Sequence, residues 1–190
     1  MPHRKLKVAA QGMLDAYKAL LAARGYVADS AQMTAALALQ TLYTNLLFFK
    51  VNRGSTFKRL VSPPKPPRGV YFWGGVGRGK SFLMDCFYDA VPYRRKKRLH
   101  FHSFMQQIHR DLDKYRGEND PMLKLAESIA KDVRLLCFDE FHVSDIADAM
   151  ILGRLMEGLF SKGVIVVMTS NYPPEQLYPN GLHRESFLPT

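Results

Sequence analysis

The N-terminal third of the chain alternates apolar and polar positions with a helical period. In "KVAAQGMLDAYKALLAARGY", Met13, Leu14, Tyr17, Leu20 and Leu21 fall at helical spacing, and Gly25 ends the pattern. In "DSAQMTAALALQTLYTNLLFF", Asp29 or Ser30 is a cap, and Leu39, Leu42, Tyr43, Leu46 and Leu47 form one apolar face. The two segments predict a helical hairpin packed on whatever follows. "SPPKPPRG", residues 62–69, then breaks all periodicity, because its prolines exclude helix and central strand. It reads as a stiff extended linker.

Beyond the linker, short continuous apolar runs alternate with helical patterns. Strands are predicted at "GVYFW" (69–73), "RLHFH" (98–102), "RLLCF" (134–138) and "VIVVMTS" (164–170). Helices are predicted over 80–90, 103–115, 121–131 and 145–163, the last ending at Gly163 with Asp145 as a possible cap. Runs apolar on both faces, separated by helices, predict an α/β fold with a parallel sheet covered on both sides. The expected division is a helical region over 1–61, a linker over 62–68 and an α/β core over 69–190.

Composition changes this picture in one respect. Of the chain's 27 Lys and Arg, eleven lie in residues 1–68 against only Asp15 and Asp29, so nearly all of the net charge of +10 sits there. Such an arm fits an acidic protein partner, a nucleic acid or an anionic membrane surface, or is simply a solvated face. No apolar stretch is long enough to span a bilayer. "MPHRKLKVAA" is basic but lacks a signal core, and it is short and serine-poor for a mitochondrial presequence. The expected location is the cytosol. Cys86 and Cys137 lack metal-ligand spacing and read as inert buried thiols.

The chemistry begins at "FWGGVGRGKSFLMD", residues 72–85. "GGVGRGKS" fits GxxxxGK[ST] and lies between a predicted strand and a predicted helix, the context a phosphate-binding loop requires. Glycine lets the backbone N–H groups approach phosphate oxygens, and the helix N-terminus adds partial positive charge. Gly74, Gly75, Val76, Gly77, Arg78, Gly79, Lys80 and Ser81, with Phe82 in the first helical turn, are the candidate nucleotide-binding positions. Lys80 would reach the β- and γ-phosphates, and the Ser81 hydroxyl would hold Mg²⁺. In "LLCFDEF" (135–141), two acids end an apolar strand at the sheet edge where open α/β folds bind ligands. Asp139 would orient Mg²⁺, and Glu140 would activate water as general base. "VVMTSNYPP" places Asn171 after a strand end, where it could hold the attacking water or sense the γ-phosphate. In "GLHRESF" (181–187), Arg184 is a candidate arginine finger acting on a neighbouring subunit, its alternative being a surface pair with Glu185.

Weaker signals stay open. "RRKKR" (94–98) reads as a solvated loop entering a strand rather than a nucleic-acid clamp. His100 and His102, flanking Phe101 on one predicted strand face, read as packing or hydrogen-bonding residues rather than metal ligands. His142 could sense nucleotide state or cap its loop. Gln32 reads as a surface glutamine, with approach to a nucleotide base as the alternative.

"YFWGGVGRGKSFLMD", "HFHSFMQQIH", "LLCFDEFHVSDIADAMIL", "VVMTSNYPPEQLYPNGLHRESFLP" and "DSAQMTAALALQTLY" together resemble the ZapE family of AAA+-type bacterial cell-division ATPases, which has mitochondrial relatives. The resemblance covers nearly the whole chain. It implies a P-loop NTPase core of AAA+ type, ATP with Mg²⁺ as cofactors, and hydrolysis of ATP. It also implies a cytoplasmic protein at the division site, near the inner membrane, acting on FtsZ polymers. Lys80, Ser81, Asp139, Glu140, Asn171 and Arg184 match the family's functional positions. An arginine finger further implies self-association with nucleotide at the subunit interface. Family members continue through a fifth core strand and a C-terminal lid, and only four strands are legible here, so a truncated chain is expected. Two other readings remain: a nucleic-acid-associated ATPase similar to DNA helicase loaders, and a nucleotide-gated binding module without useful hydrolysis.

Overall fold

The computed structural model describes residues 12–54, 64–143 and 146–177. Helices α1 (Met13–Ala23) and α2 (Ser30–Gly54) form the hairpin, and Gly25 turns the chain with a φ of 66°. The core then runs β1 (Val70–Trp73), α3 (Lys80–Ala90), β2 (Lys96–His100), α4 (Phe101–Leu112), α5 (Pro121–Asp132), β3 (Leu135–Asp139), α6 (Ile146–Ser161) and β4 (Ile165–Ser170). Short 3₁₀ turns cover Asp113–Tyr115 and Pro174–Gln176. The four strands are parallel and ordered β1-β4-β3-β2.

The period-two geometry of a strand sends alternate side chains to opposite faces. Leu135 and Cys137 of β3 join one core with Ile165 and Val167 of β4 and with α1, α2 and α3. Leu136 and Phe138 join the other, with α4, α5 and α6. The hairpin therefore shares a core with the sheet: Met13, Leu39 and Leu46 are fully buried beside Met84 and Phe87. Two glycines mark close approaches. A Cβ on Gly69 would meet Val166 O at 1.8 Å, and one on Gly158 would meet Ala126 Cβ at 2.7 Å, where α6 crosses α5. Along β1, on the α6 side, runs an apolar groove of about 340 Å³, lined by Tyr71, Met156, Phe160 and Leu177 among others. No helix among the described residues is long and apolar enough to cross a membrane.

Three expectations change. The second strand begins at Lys96 and ends at His100, two residues earlier than its apolar pattern indicated, so Lys96 and Lys97 belong to the strand rather than to the solvated loop before it. Phe101 starts α4 directly and is buried against Phe138 and Phe141, so His100 ends a strand while His102 lies on a helix. The helix predicted over 103–115 runs instead from Phe101 to Leu112, then tightens to 3₁₀ geometry. Both cysteines are buried; burial pushes the Cys86 thiol up to about 11 and the Cys137 thiol up to about 12.

Candidate functional site

The order of strands builds the site. The loop after β1 and the acids ending β3 lie on either side of the end of β4. That end ties both together. Gly74 N–H donates to Ser170 O at 3.2 Å, and Phe141 N–H donates to Thr169 O at 2.7 Å. Glu140 N–H donates to Thr169 Oγ1 at 3.2 Å, and Ser170 Oγ donates to Phe141 O at 2.7 Å. Thr169 and Ser170 are buried, so these bonds are shielded from water.

The phosphate loop takes the backbone shape its glycines allow. Gly77 and Gly79 have φ of 79° and 74°, which side-chain-bearing residues rarely adopt. A Cβ on Gly74, Gly75 or Gly77 would touch nothing within 4 Å, so the loop faces open space. Gly79 leads into α3, whose first-turn N–H groups point into the same region. Lys80 Nζ donates to Gly74 O and Gly75 O at 2.5 and 2.7 Å, inside the loop. Burial lowers its pKa, and the Glu140 carboxylate partly restores it, so the lysine and the second acid share one field.

The two acids behave differently. Asp139 is 6% exposed. Glu140 is exposed, with one carboxylate oxygen 3.9 Å from His100 Nδ1. Glu140 has a φ of 56°, alone among the described non-glycine residues in that region. A non-glycine residue held there stores strain, and such residues concentrate at functional sites.

Asp139 is held by Arg98, which opens the predicted second strand and for which the sequence indicates no role at the site. Arg98 Nε donates to Asp139 Oδ2 at 2.6 Å, and Nη2 donates to Asp139 Oδ1 at 3.2 Å. Nη1 pairs with Asp85, and Nη2 also donates to Ser81 O at 3.3 Å. Burial disfavours the charge on Arg98, but its bonds to Asp139 and Asp85 outweigh this and raise its pKa. A single guanidinium thus spans Ser81 and Asp139, the two candidate metal-binding residues. Two further cations of the run are engaged, Arg95 donating to Ala130 O and Lys96 to Tyr88 O and Val91 O, while Arg94 and Lys97 are exposed.

The hairpin meets the loop at Arg78. Asp29 and Gln32 form a capping box at the start of α2: Gln32 N–H donates to Asp29 Oδ1 at 2.8 Å, and Asp29 N–H to Gln32 Oε1 at 3.1 Å. The same pair grips the loop. Asp29 Oδ2 lies 2.9 Å from Arg78 Nη2, and Gln32 Nε2 donates to Arg78 O at 3.0 Å. Gln32 is therefore not a free surface glutamine. Nearby, the Arg24 guanidinium lies 4.4 Å from the centre of the Phe82 ring, which Tyr17 flanks at 5.8 Å. Asn171 follows β4 directly and is exposed. His142 packs on Tyr172, ring centres 4.7 Å apart. Arg184 and Asp145 lie outside the described residues.

A phosphate-loop motif after β1, acids at the end of β3 and strand order β1-β4-β3-β2 are those of a P-loop NTPase fold of AAA+ type. The structure of AMPPCP-bound DnaA from Aquifex aeolicus aligns with a TM-score of 0.58 at 16% identity, over 95% of this chain and 48% of that one, a likeness of fold. Residues 12–190 match the AFG1-like ATPase family, and the chain belongs to it. It is 53% identical to the cell division protein ZapE of Escherichia coli over 132 residues, 70% of this chain and 35% of that protein. It is 52% identical to Lactation elevated protein 1 homolog B of Danio rerio over 139 residues, 67% of this chain and 28% of that protein. The chain thus spans about a third of the length of these relatives.

Proposed function

We propose that this chain binds ATP with Mg²⁺ at the ends of β1, β3 and β4 and hydrolyses it. The observation that carries the proposal is the joining of the phosphate loop and the acidic strand end through Thr169 and Ser170. The residues present fit both groups. The loop offers backbone N–H donors, Lys80 and a helix N-terminus to a polyphosphate. The Ser81 hydroxyl and the nearly buried Asp139 carboxylate offer oxygen ligands of the kind Mg²⁺ takes, and one guanidinium touches both residues, at the Ser81 carbonyl and the Asp139 carboxylate. The bound cation would neutralise charge developing on the phosphates.

The chain's own groups do the rest. Lys80 exchanges its two loop carbonyls for phosphate oxygens. Glu140, pointed outward by its backbone, takes a proton from the attacking water. Asn171, at the adjacent strand end, orients that water. Arg184 of a neighbouring copy would supply the last positive charge, with nucleotide at the interface between copies.

At the level of the cell, we place this activity in bacterial division, in the cytoplasm near the inner membrane, with FtsZ polymers or another acidic polymer as the partner. The support is the sequence likeness to a protein named for cell division, together with the basic N-terminal third. Peripheral contact with an anionic membrane fits the same charge.

The test is MgATP binding and phosphate release by this chain and by Glu140→Gln. The expected outcome is turnover in the parent and, in the variant, loss of turnover by about a hundredfold or more with binding kept. Equal turnover in both would remove Glu140 from the chemistry. Stimulation by DNA but not by FtsZ polymers would replace the division reading with the nucleic-acid one.

A further inference from the structure

Arg98 is the most heavily engaged charged side chain near the site, and the hydrolysis scheme gives it no role. It lies in β2 opposite Cys137, with one-fifth of its side chain exposed. Its guanidinium reaches three residues on two other elements: Asp139 at the end of β3, and Ser81 O and Asp85 in α3. We infer that Arg98 is a positioning residue that sets Asp139 and the first turn of α3 relative to each other, and so determines how tightly the site takes a divalent cation. The inference rests on the nucleotide-site reading above and goes beyond it by naming the residue that tunes the metal.

The geometry gives the reason. An ionised carboxylate has about four acceptor positions. The fork of Arg98 takes one on each oxygen, which fixes the plane of the carboxylate and leaves the remaining positions directed elsewhere. The same Nη2 that holds Asp139 Oδ1 also holds the carbonyl of Ser81, the residue whose hydroxyl is the other metal candidate. An ion pair serving only the fold would not need to end on both. Outer partners that orient metal-binding groups typically change metal affinity about 10–100-fold when removed. Lysine offers one point charge without the fork, so it can keep the charge but not the plane. A contrary role is equally definite: if Arg98 merely competes with the cation for Asp139, its removal must tighten metal binding.

The experiment uses the chain's only tryptophan, Trp73, half-exposed beside the loop, as a fluorescent reporter. AMPPCP is held fixed, first in EDTA and then with Mg²⁺ titrated, for the parent, Arg98→Met, Arg98→Lys, Asp139→Asn and the Asp139→Asn/Arg98→Met double variant. Calorimetry repeats each titration. The half-saturating Mg²⁺ concentration is expected to rise about 10–100-fold in Arg98→Met and by less in Arg98→Lys, with AMPPCP binding in EDTA changed by less than about threefold. In the Asp139→Asn background the Arg98 substitution should add nothing, because the carboxylate through which it acts is gone. Where Arg98→Met alone fails to fold, Arg98→Lys carries the test, because it keeps a charge beside Asp139 and loses only the fork.

An unchanged or lower Mg²⁺ requirement in the Arg98 variants overturns the inference. So does a further loss in the Asp139→Asn background. Both results leave the nucleotide site standing, since the parent still binds. A parent that binds no AMPPCP at any Mg²⁺ concentration overturns the site and the inference together.

Discussion

The acidic end of β3 and the phosphate loop face each other across β4, and they are held in opposite ways. The acid end is fixed from inside. Every residue of β3 is buried, Asp139 is clamped by a two-pronged arginine, and the backbone at Glu140 and Phe141 is bonded to Thr169. The loop is held from outside. Val76 is 86% exposed, and apart from the Gly74 bond to β4 its tertiary support is the solvent-facing grip of Asp29 and Gln32 on Arg78. The difference separates two jobs. Under the proposed function, the groups assigned to a cation and a water sit on a buried sheet edge, whereas the segment assigned to a polyphosphate has fewer tertiary ties.

The sharpest test of the inner support is Asp139→Ala. It strands a guanidinium that is four-fifths buried and retains only Asp85 and Ser81 O. Breaking a fully buried pair costs about 3–5 kcal/mol; partial exposure and the surviving partner reduce this to about 2–3 kcal/mol. For a chain of this size the melting midpoint should fall by roughly 5–10 °C. A shift below about 2 °C would mean that the acid end is no more firmly held than the loop.

Glu140→Gly asks whether the rigidity of the acid end stores strain. At a φ of 56° a side-chain-bearing residue costs about 1–2 kcal/mol, and glycine costs about 0.5–1 kcal/mol in lost chain freedom. The variant should therefore be more stable in urea by about 0.5 kcal/mol while losing turnover. Lower stability would show that the backbone shape at this residue is comfortable.

These two regions were unequally legible in the sequence. The loop announces itself through local spacing: glycines with positive φ, a lysine and a serine between a strand and a helix, all within one short stretch. The acids were legible because an apolar run ends in them. What holds the acids was not. Arg98 meets Asp139 across 41 positions, and pairing at that separation leaves no periodic trace. The cations Lys96 and Lys97 disguised the start of a strand as loop, since an outer strand tolerates charge that a central one does not. The passage from His100 to Phe101 has no glycine or proline to mark where strand becomes helix, so the apolar pattern ran two residues too far. Gln32 was missed for the same reason as Arg98: its partner lies 46 positions away. Asp29 was legible as a cap from its place before the apolar pattern, whereas its reciprocal partner Gln32 was not read as part of that cap.

The outer support should yield the smallest effect, and its salt dependence distinguishes it from the inner one. Asp29→Asn keeps the cap, since asparagine caps helices as well as aspartate does, and removes only the charge that Arg78 meets. Arg78→Met removes the other charge but leaves the backbone carbonyl to which Gln32 donates. A double-variant cycle on these two positions therefore isolates the ion pair. With side chains 56% and 40% exposed, the coupling should be about 0.5 kcal/mol or less. It should vanish near 1 M salt, where the screening length is about 3 Å. The matching cycle on Arg98 and Asp139 should be several times larger and nearly indifferent to salt, because that pair is shielded. Equal couplings, or an outer pair that persists in salt, would mean that the hairpin is locked to the loop. The loop could then no longer be the part that adapts to the phosphates while the sheet edge stays fixed.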